Sequence, residues 1–72
     1  MMSVFDFLSG VQFTVDTVDV NDSISNKTES FVGSAEKPNC VDRCINKYGP
    51  RSVSEWKVSD GPKNTTVIEM TI

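Results

Sequence analysis

Apolar residues recur at helical spacing in the middle of the chain. Pro38 suits the first position of a helix, because the N–H that proline lacks would have no helical partner there. Gly49, which Pro50 follows, can adopt the left-handed conformation that closes a helix. Four residues between them stand at i, i+3, i+4 and i+7, the spacing that places side chains on one helix face: Val41, Cys44, Ile45 and Tyr48. The pattern predicts one amphipathic helix.

The C-terminal part of the chain alternates with the period of two that is typical of half-buried strands. In residues 52–58, Trp56 and Val58 share one face, which we expect to turn toward the core. The opposite face would carry, toward solvent, Val53, Glu55 and Lys57. Residues 65–72 alternate in the same way, with three apolar residues on one face: Ile68, Met70 and Ile72. Residues 59–64 are rich in turn formers, so we predict a hairpin.

The N-terminal half predicts two further strands with a loop between them. Residues 11–20 alternate in one parity up to Val15, but Val18 and Val20 fall on the other parity, which predicts a bulge or a bend. Residues 21–28 are polar and read as a loop. Residues 29–35 read as a strand around Phe31, with Gly33 at a bulge or a place of close packing.

The order of these elements predicts an α+β domain. We expect a three- to four-stranded, mostly antiparallel sheet with one main helix packed on one face. Ser3 is a candidate N-cap with Asp6 three residues later, so residues 1–10 should form a short N-terminal helical turn. Residues 1–72 would be a single small domain, in which residues 11–72 form the sheet-and-helix core.

Composition restricts the ligands. The formal net charge is −3 and the isoelectric point is near 4.6, which disfavours direct nucleic-acid binding, because phosphate binding needs clustered cations. No apolar run approaches the roughly 20 residues that span a bilayer, so no membrane partner is expected. The N-terminus lacks the pattern of a secretion signal, and we expect the protein in the cytoplasm.

Residue types that carry chemistry are sparse. The chain contains no histidine, no glycine-rich phosphate loop and no nucleophile elbow, so we predict no enzymatic activity and no cofactor. Cys40 and Cys44 lie one helical turn apart, where a disulfide would be strained, and a zinc site would need two more ligands. We predict that both thiols are buried in the core, together with Trp56 and Tyr48.

Two groups of residues are candidates for binding a partner protein. In the N-terminal turn, Phe5 and Phe7 would be exposed anchors, although Phe5 and Leu8 could instead close the end of the core. The second group would form an acidic docking surface: Asp16, Asp19, Asp22 and Glu29. The alternative for the aspartates is that they keep an exposed edge strand from pairing with other chains.

Residues 29–58, ESFVGSAEKPNCVDRCINKYGPRSVSEWKV, resemble the strand–helix–strand unit of small bacteriophage-encoded inhibitors. Two groups share this order of elements: anti-CRISPR proteins and phage proteins that inhibit bacterial RNA polymerase. The resemblance implies a compact protein that blocks a nucleic-acid-binding surface or a moving part of a larger host complex.

The leading hypothesis is therefore a non-enzymatic inhibitor of phage type. It would bind a host protein or ribonucleoprotein complex in the host cytoplasm and block it, as an anti-CRISPR-like, anti-defence protein. Inhibition of host RNA polymerase stays open as an alternative. A small structural or assembly subunit that acts by strand pairing, including a homodimer, is the alternative from another class.

Overall fold

A computed structural model describes residues 2–33 and 39–72 of the chain. It contains two helices and four strands, and a short 3-10 turn at Pro62–Asn64 links the last two strands. In chain order the elements are α1 (Val4–Ser9), β1 (Thr17–Asp22), β2 (Lys27–Val32), α2 (Cys40–Tyr48), β3 (Glu55–Asp60) and β4 (Thr66–Thr71).

The four strands form one mixed sheet in the order β2-β1-β4-β3. The β1–β2 and β3–β4 pairs are antiparallel, whereas β1 and β4 run parallel. The predicted α+β class is confirmed, with one main helix on one face and a short N-terminal helix.

One face of the sheet, here called the helix face, carries the core. Cross-strand register places Val18 beside Phe31 on one side and beside Ile68 on the other. Val20 and Met70 form the next row of the same face. All five side chains are buried, and the predicted apolar face of β4 is thereby confirmed.

The helix α2 presents its predicted apolar face to this core. Cys40 and Cys44 are buried, and the partly buried members of the face pack against the same cluster: Val41, Ile45 and Tyr48. Pro38, the predicted first residue, lies outside the described residues, and Asn39 stands at the N-cap with a φ of 65°.

Gly49 ends α2 for a different reason from the one predicted. Its φ is −46°, so the left-handed conformation that we expected is wrong. A Cβ atom at this position would lie 2.5 Å from the carbonyl oxygen of Ile45, to which the N–H of Gly49 donates. Glycine is therefore required for close approach and not for a positive φ.

The predicted N-terminal turn is the helix α1. The hydroxyl of Ser3 accepts a hydrogen bond from the Asp6 N–H at 3.0 Å, which confirms the N-cap. Leu8 is buried and closes the end of the core as predicted. Phe5 is 53% exposed, so the expectation that it would help to close the core is wrong.

The first strand starts later than its alternation suggested. Residues 11–16 are not part of the strand, and β1 begins at Thr17, so the parity of Val18 and Val20 is the parity of the strand itself. The phase slip marks the start of the strand rather than a bulge within it. β1 also pairs on both sides, with β2 and β4, and the exposed edge expected for its aspartates is wrong.

The loop predicted for residues 21–28 is only a short turn. β1 extends to Asp22 and β2 begins at Lys27, so residues 23–26 alone connect them. The predicted second strand ends at Val32, while residues 34–38 lie outside the described residues. Gly33 allows close packing, because a Cβ atom there would lie 3.1 Å from the carbonyl oxygen of Asp16.

The strand β3 departs most from the prediction. Trp56 and Val58 do share the helix face, since they pair with Met70 and Ile68, but they are 54% and 43% exposed. The prediction that Trp56 is a core residue is wrong. Val53, expected to face solvent, is buried just before the strand and donates its N–H to the carbonyl of Met2.

Among the described residues, no helix has the length and apolarity that a bilayer crossing requires.

Candidate protein-binding surface

Exposed apolar side chains collect around one groove between α1 and β3. Its volume is about 330 Å³. The groove, here called the Trp56 groove, is lined by Met2, Asp6, Phe7, Gly10, Val11, Gln12, Phe13, Trp56 and Val58. Exposed fractions near one half are found for four of these residues: Met2, Phe13, Trp56 and Val58. Clustering of this kind on a small protein is typical of an interaction site.

Trp56 lines the groove and is held in place by Phe7. Its ring lies against the ring of Phe7, with centroids 4.9 Å apart and planes tilted by 42°. Phe7 belongs to the core, and only 8% of it is exposed. The indole is therefore fixed on one side by the core and open to solvent on the other, so little conformational entropy would be lost on binding.

The backbone brings the N-terminus to β3. Met2 accepts a hydrogen bond from the Val53 N–H at 2.9 Å, and Ser3 forms an isolated antiparallel bridge with Ser52. After α1, the N–H of Val11 donates to the carbonyl of Leu8, which turns the chain toward Phe13. Both ends of α1 thus contribute side chains to the groove.

The strand β3 forms one edge of the sheet. Within the described residues it pairs only with β4, and all six of its residues are exposed. The backbone N–H and C=O groups on its outer side can therefore pair with a strand from another chain. The groove and this free edge are adjacent, because Trp56 and Val58 belong to both.

The sheet face opposite the helices, here called the outer face, is polar. A row of side chains crosses all four strands: Ser30, Asp19, Glu69 and Lys57. Lys57 and Glu69 form an ion pair at 3.1 Å, and Glu55 stands in the neighbouring row. Among the described residues of the outer face, the carboxylates of Asp19, Glu69 and Glu55 outnumber the single cation of Lys57. This excess of negative charge disfavours phosphate groups as ligands of the face.

The two phenylalanines predicted to bind a partner lie in different environments. Phe7 is buried and contacts the ring of Trp56, which lines the groove. Phe5 is exposed but does not line the groove, and its N–H donates to the carbonyl of Gly49 at the end of α2. The expectation that Phe7 is an exposed anchor is wrong, because only 8% of it is accessible, and it contributes to the groove as the support of Trp56.

Two of the predicted aspartates already have partners within the chain. Asp16 accepts a hydrogen bond from the Thr66 N–H at 2.8 Å, which joins the start of β1 to β4. Asp22 forms an ion pair with Arg51 at 3.1 Å, and the Arg51 guanidinium, together with two backbone N–H groups, lowers the pKa of the Asp22 carboxyl to about 2.

Glu29 is also engaged inside the fold. It accepts hydrogen bonds from the Lys47 ammonium at 2.6 Å and from the Tyr48 hydroxyl at 2.8 Å. The Lys47 bond and then the Tyr48 bond lower the pKa of Glu29, while Glu29 raises the pKa of both partners. This carboxylate joins β2 to α2.

The four predicted carboxylates do not form one acidic surface. Asp19 lies on the outer face in register with Glu69. Asp22 and Glu29 have the opposite parity and lie on the helix side, where their cationic partners are. The structure therefore divides this group between two sides of the sheet.

The cysteines are buried free thiols, as predicted. The Cys40 thiol donates a hydrogen bond to the carbonyl of Val15 at 3.4 Å. Burial, followed by the neighbouring Cys40 and Glu29, raises the pKa of Cys44 to about 12, and burial also raises the pKa of Cys40. Thiolates, which are the reactive and metal-binding form, are therefore disfavoured at both positions.

The part of the chain that the structure describes contains no group of three or more histidine, cysteine or acidic residues that could hold a metal ion.

Sequence reasoning missed most of the Trp56 groove. Trp56 and Val58 were assigned to the correct face, but nothing local shows that the helices leave this part of the face uncovered. One signal was available: if the strand begins at Thr17, Val11 and Phe13 are apolar residues without a strand to bury them. Both line the groove.

No family model matches the chain, and neither a curated protein nor a solved structure matches it. A function can be proposed from two features: the exposed apolar side chains of the Trp56 groove and the outer side of β3, which is unpaired among the described residues.

Proposed function

We propose that this chain is a non-enzymatic protein-binding module that inhibits the complex to which it binds. The observation that carries the proposal is the exposed indole of Trp56, fixed against Phe7 and adjacent to a free strand edge. Tryptophan is enriched among the residues that dominate binding energy at protein interfaces. A rigid apolar anchor beside unpaired backbone groups fits a protein partner better than a small polar ligand.

The inhibitory role is supported by the resemblance of residues 29–58 to small phage-encoded inhibitors. A chain of 72 residues that binds a larger complex can block it by occupying a surface, without any chemistry of its own. The proposed setting is the cytoplasm of a bacterial host, and the proposed target is a host defence complex.

Affinity capture with matched variants tests the proposal. Tagged wild-type protein, Trp56→Ser, Phe13→Ser, Asp19→Asn and Ile24→Ser are used to capture proteins from a bacterial lysate, which are identified by mass spectrometry. Ile24 is the control, because it is 82% exposed but lies in the β1–β2 turn away from the groove. We expect the wild type and Ile24→Ser to capture the same complex, and the two groove variants to lose it.

The captured complex is then purified and its activity measured with each variant. Inhibition by the wild type and by Ile24→Ser, with none by Trp56→Ser, is the expected result. If Trp56→Ser and Phe13→Ser capture and inhibit as well as the wild type, the groove is not the binding surface. If Asp19→Asn alone abolishes capture, the outer face binds the partner instead. Identification of the complex as RNA polymerase would replace the defence target.

A further inference from the structure

The outer edge of β3 is complementary in charge to a second copy of itself. Glu55 and Lys57 lie on the outer face of the sheet, and Trp56 lies between them on the helix face. In an antiparallel pair of two β3 strands centred on Trp56, Glu55 of each copy stands opposite Lys57 of the other. Opposite charges in directly facing positions stabilise a strand pair, and like charges destabilise it.

The same arrangement agrees with the two faces of the sheet. A two-fold axis perpendicular to the sheet and passing beside Trp56 leaves helix face next to helix face. The two exposed indoles then meet on that face, and the two Glu55–Lys57 pairs lie on the polar outer face. In an antiparallel pair centred on one residue, residues of the same parity stand opposite each other. The outward N–H and C=O groups of both strands therefore also face each other.

Neighbouring registers lack this complementarity. Centring the pair on Lys57 would place this lysine opposite the same lysine of the second copy. Centring it on Val58 would place Trp56 opposite Asp60, and Glu55 would stand opposite Gly61, beyond the end of β3. Charge therefore selects the register that is centred on Trp56.

We infer that two copies of the chain associate through their β3 edges in this register, as a two-fold dimer with one continuous eight-stranded sheet. The dimer places the two Trp56 grooves next to each other on the helix side. Lys57 lies between Glu69 of its own chain, with which it forms an ion pair at 3.1 Å, and Glu55 of the second copy. The inference concerns the isolated chain, and a partner protein that pairs with the β3 edge would have to displace the second copy.

Charge exchange between two single variants tests the register. In Glu55→Lys the introduced lysine would face Lys57 of the second copy, and in Lys57→Glu the introduced glutamate would face Glu55. Each variant alone would therefore carry two repulsive pairs per dimer. An equimolar mixture of the two variants forms a dimer in which both pairs are attractive again.

Sedimentation equilibrium at low salt measures the association constant of each sample. We expect a dimer for the wild type, association weakened about tenfold or more for each single variant, and recovery in the mixture and in the double variant Glu55→Lys/Lys57→Glu. Circular dichroism verifies the fold of each variant, and a folding defect could not be rescued by mixing.

Three results would overturn the inference. The first is a wild-type protein that stays monomeric up to millimolar concentration. The second is a pair of single variants that associate as strongly as the wild type. The third is a mixture that associates no better than its components, which would show that Glu55 and Lys57 do not face each other across the dimer.

Discussion

The two edges of the sheet are built differently. At the β2 edge, Glu29 is bonded to Lys47 and Tyr48 of α2, and the guanidinium of Arg43 donates to the carbonyl of Val32 at 2.6 Å. At the β3 edge all six residues are exposed, and Trp56 is more than half accessible although it lies on the helix face. One edge is held by a helix, and the other is open.

The reach of the two helices explains the difference. A helix with its side chains is about 10 Å wide, which covers roughly two strands spaced about 4.8 Å apart. α2 packs on β1 and β2 and against α1. α1 has six residues, and its Phe7 contacts Trp56 of β3. Two short helices leave one edge of this four-stranded sheet without full cover.

If β3 pairs as we infer, its charges make the open edge selective. Charged residues on an edge strand discourage unspecific pairing, and β3 carries Glu55, Lys57 and Asp60. The alternation of negative and positive charge around Trp56 admits an incoming strand with the complementary pattern. The helix-covered part of the sheet provides stability, while the uncovered part stays accessible to other chains.

The largest expected difference between the two regions is in stability. Ile68 is fully buried and Val58 stands opposite it in the β3–β4 pair, 43% exposed. We expect Ile68→Ala to lower the free energy of unfolding by about 2–5 kcal/mol, and Val58→Ala by about 1 kcal/mol or less. Urea unfolding followed by circular dichroism measures both. Equal losses would contradict the claim that β3 lies outside the main core.

Acid should act on the covered region through Asp22. The folded-state pKa of Asp22 is lowered to about 2, chiefly by Arg51, whereas an unfolded aspartate has a pKa of about 3.9. The stabilisation is therefore complete above about pH 4 and is lost as the pH falls toward 2. We expect Asp22→Asn to remove this acid dependence of unfolding, and Arg51→Met to remove its larger part, because the two backbone N–H groups that bond Asp22 stay in place. Variants with an unchanged dependence would exclude this ion pair as its source.

A smaller effect should appear in the titration of Tyr48. Its hydroxyl donates to Glu29, and this bond raises the pKa of the phenol. We expect Glu29→Gln to lower that pKa toward its ordinary value of about 10. Tyr48 is the sole tyrosine, so absorbance at alkaline pH reports it alone. A pKa that is the same in both proteins would show that Glu29 does not hold α2 to β2 through Tyr48.

Local patterns predicted the elements that local interactions determine. The predictions of the apolar face of α2 and of the alternation of β4 were correct. Each pattern is set by side chains that stand a few residues apart and enter the same core. The burial of Cys40 and Cys44 followed from the same helical spacing.

What the sequence did not predict depends on contacts between distant segments. The parallel pairing of β1 with β4 joins Thr17 to Val67, and no local pattern encodes it. That pairing makes β1 an inner strand and leaves β3 at the edge. Alternation placed Trp56 on the correct face, but exposure is decided by the reach of the helices, so the candidate surface was found only in the structure.

The most direct test of the open β3 edge is the fluorescence of Trp56, the sole tryptophan, as protein concentration is raised. Emission and acrylamide quenching are measured for the wild type and for Glu55→Lys. We predict that the dilute wild type is readily quenched, and that its emission shifts to shorter wavelength and its quenching falls as the protein associates, while Glu55→Lys changes much less. Emission and quenching that are independent of concentration, and equal in the two proteins, would contradict the account.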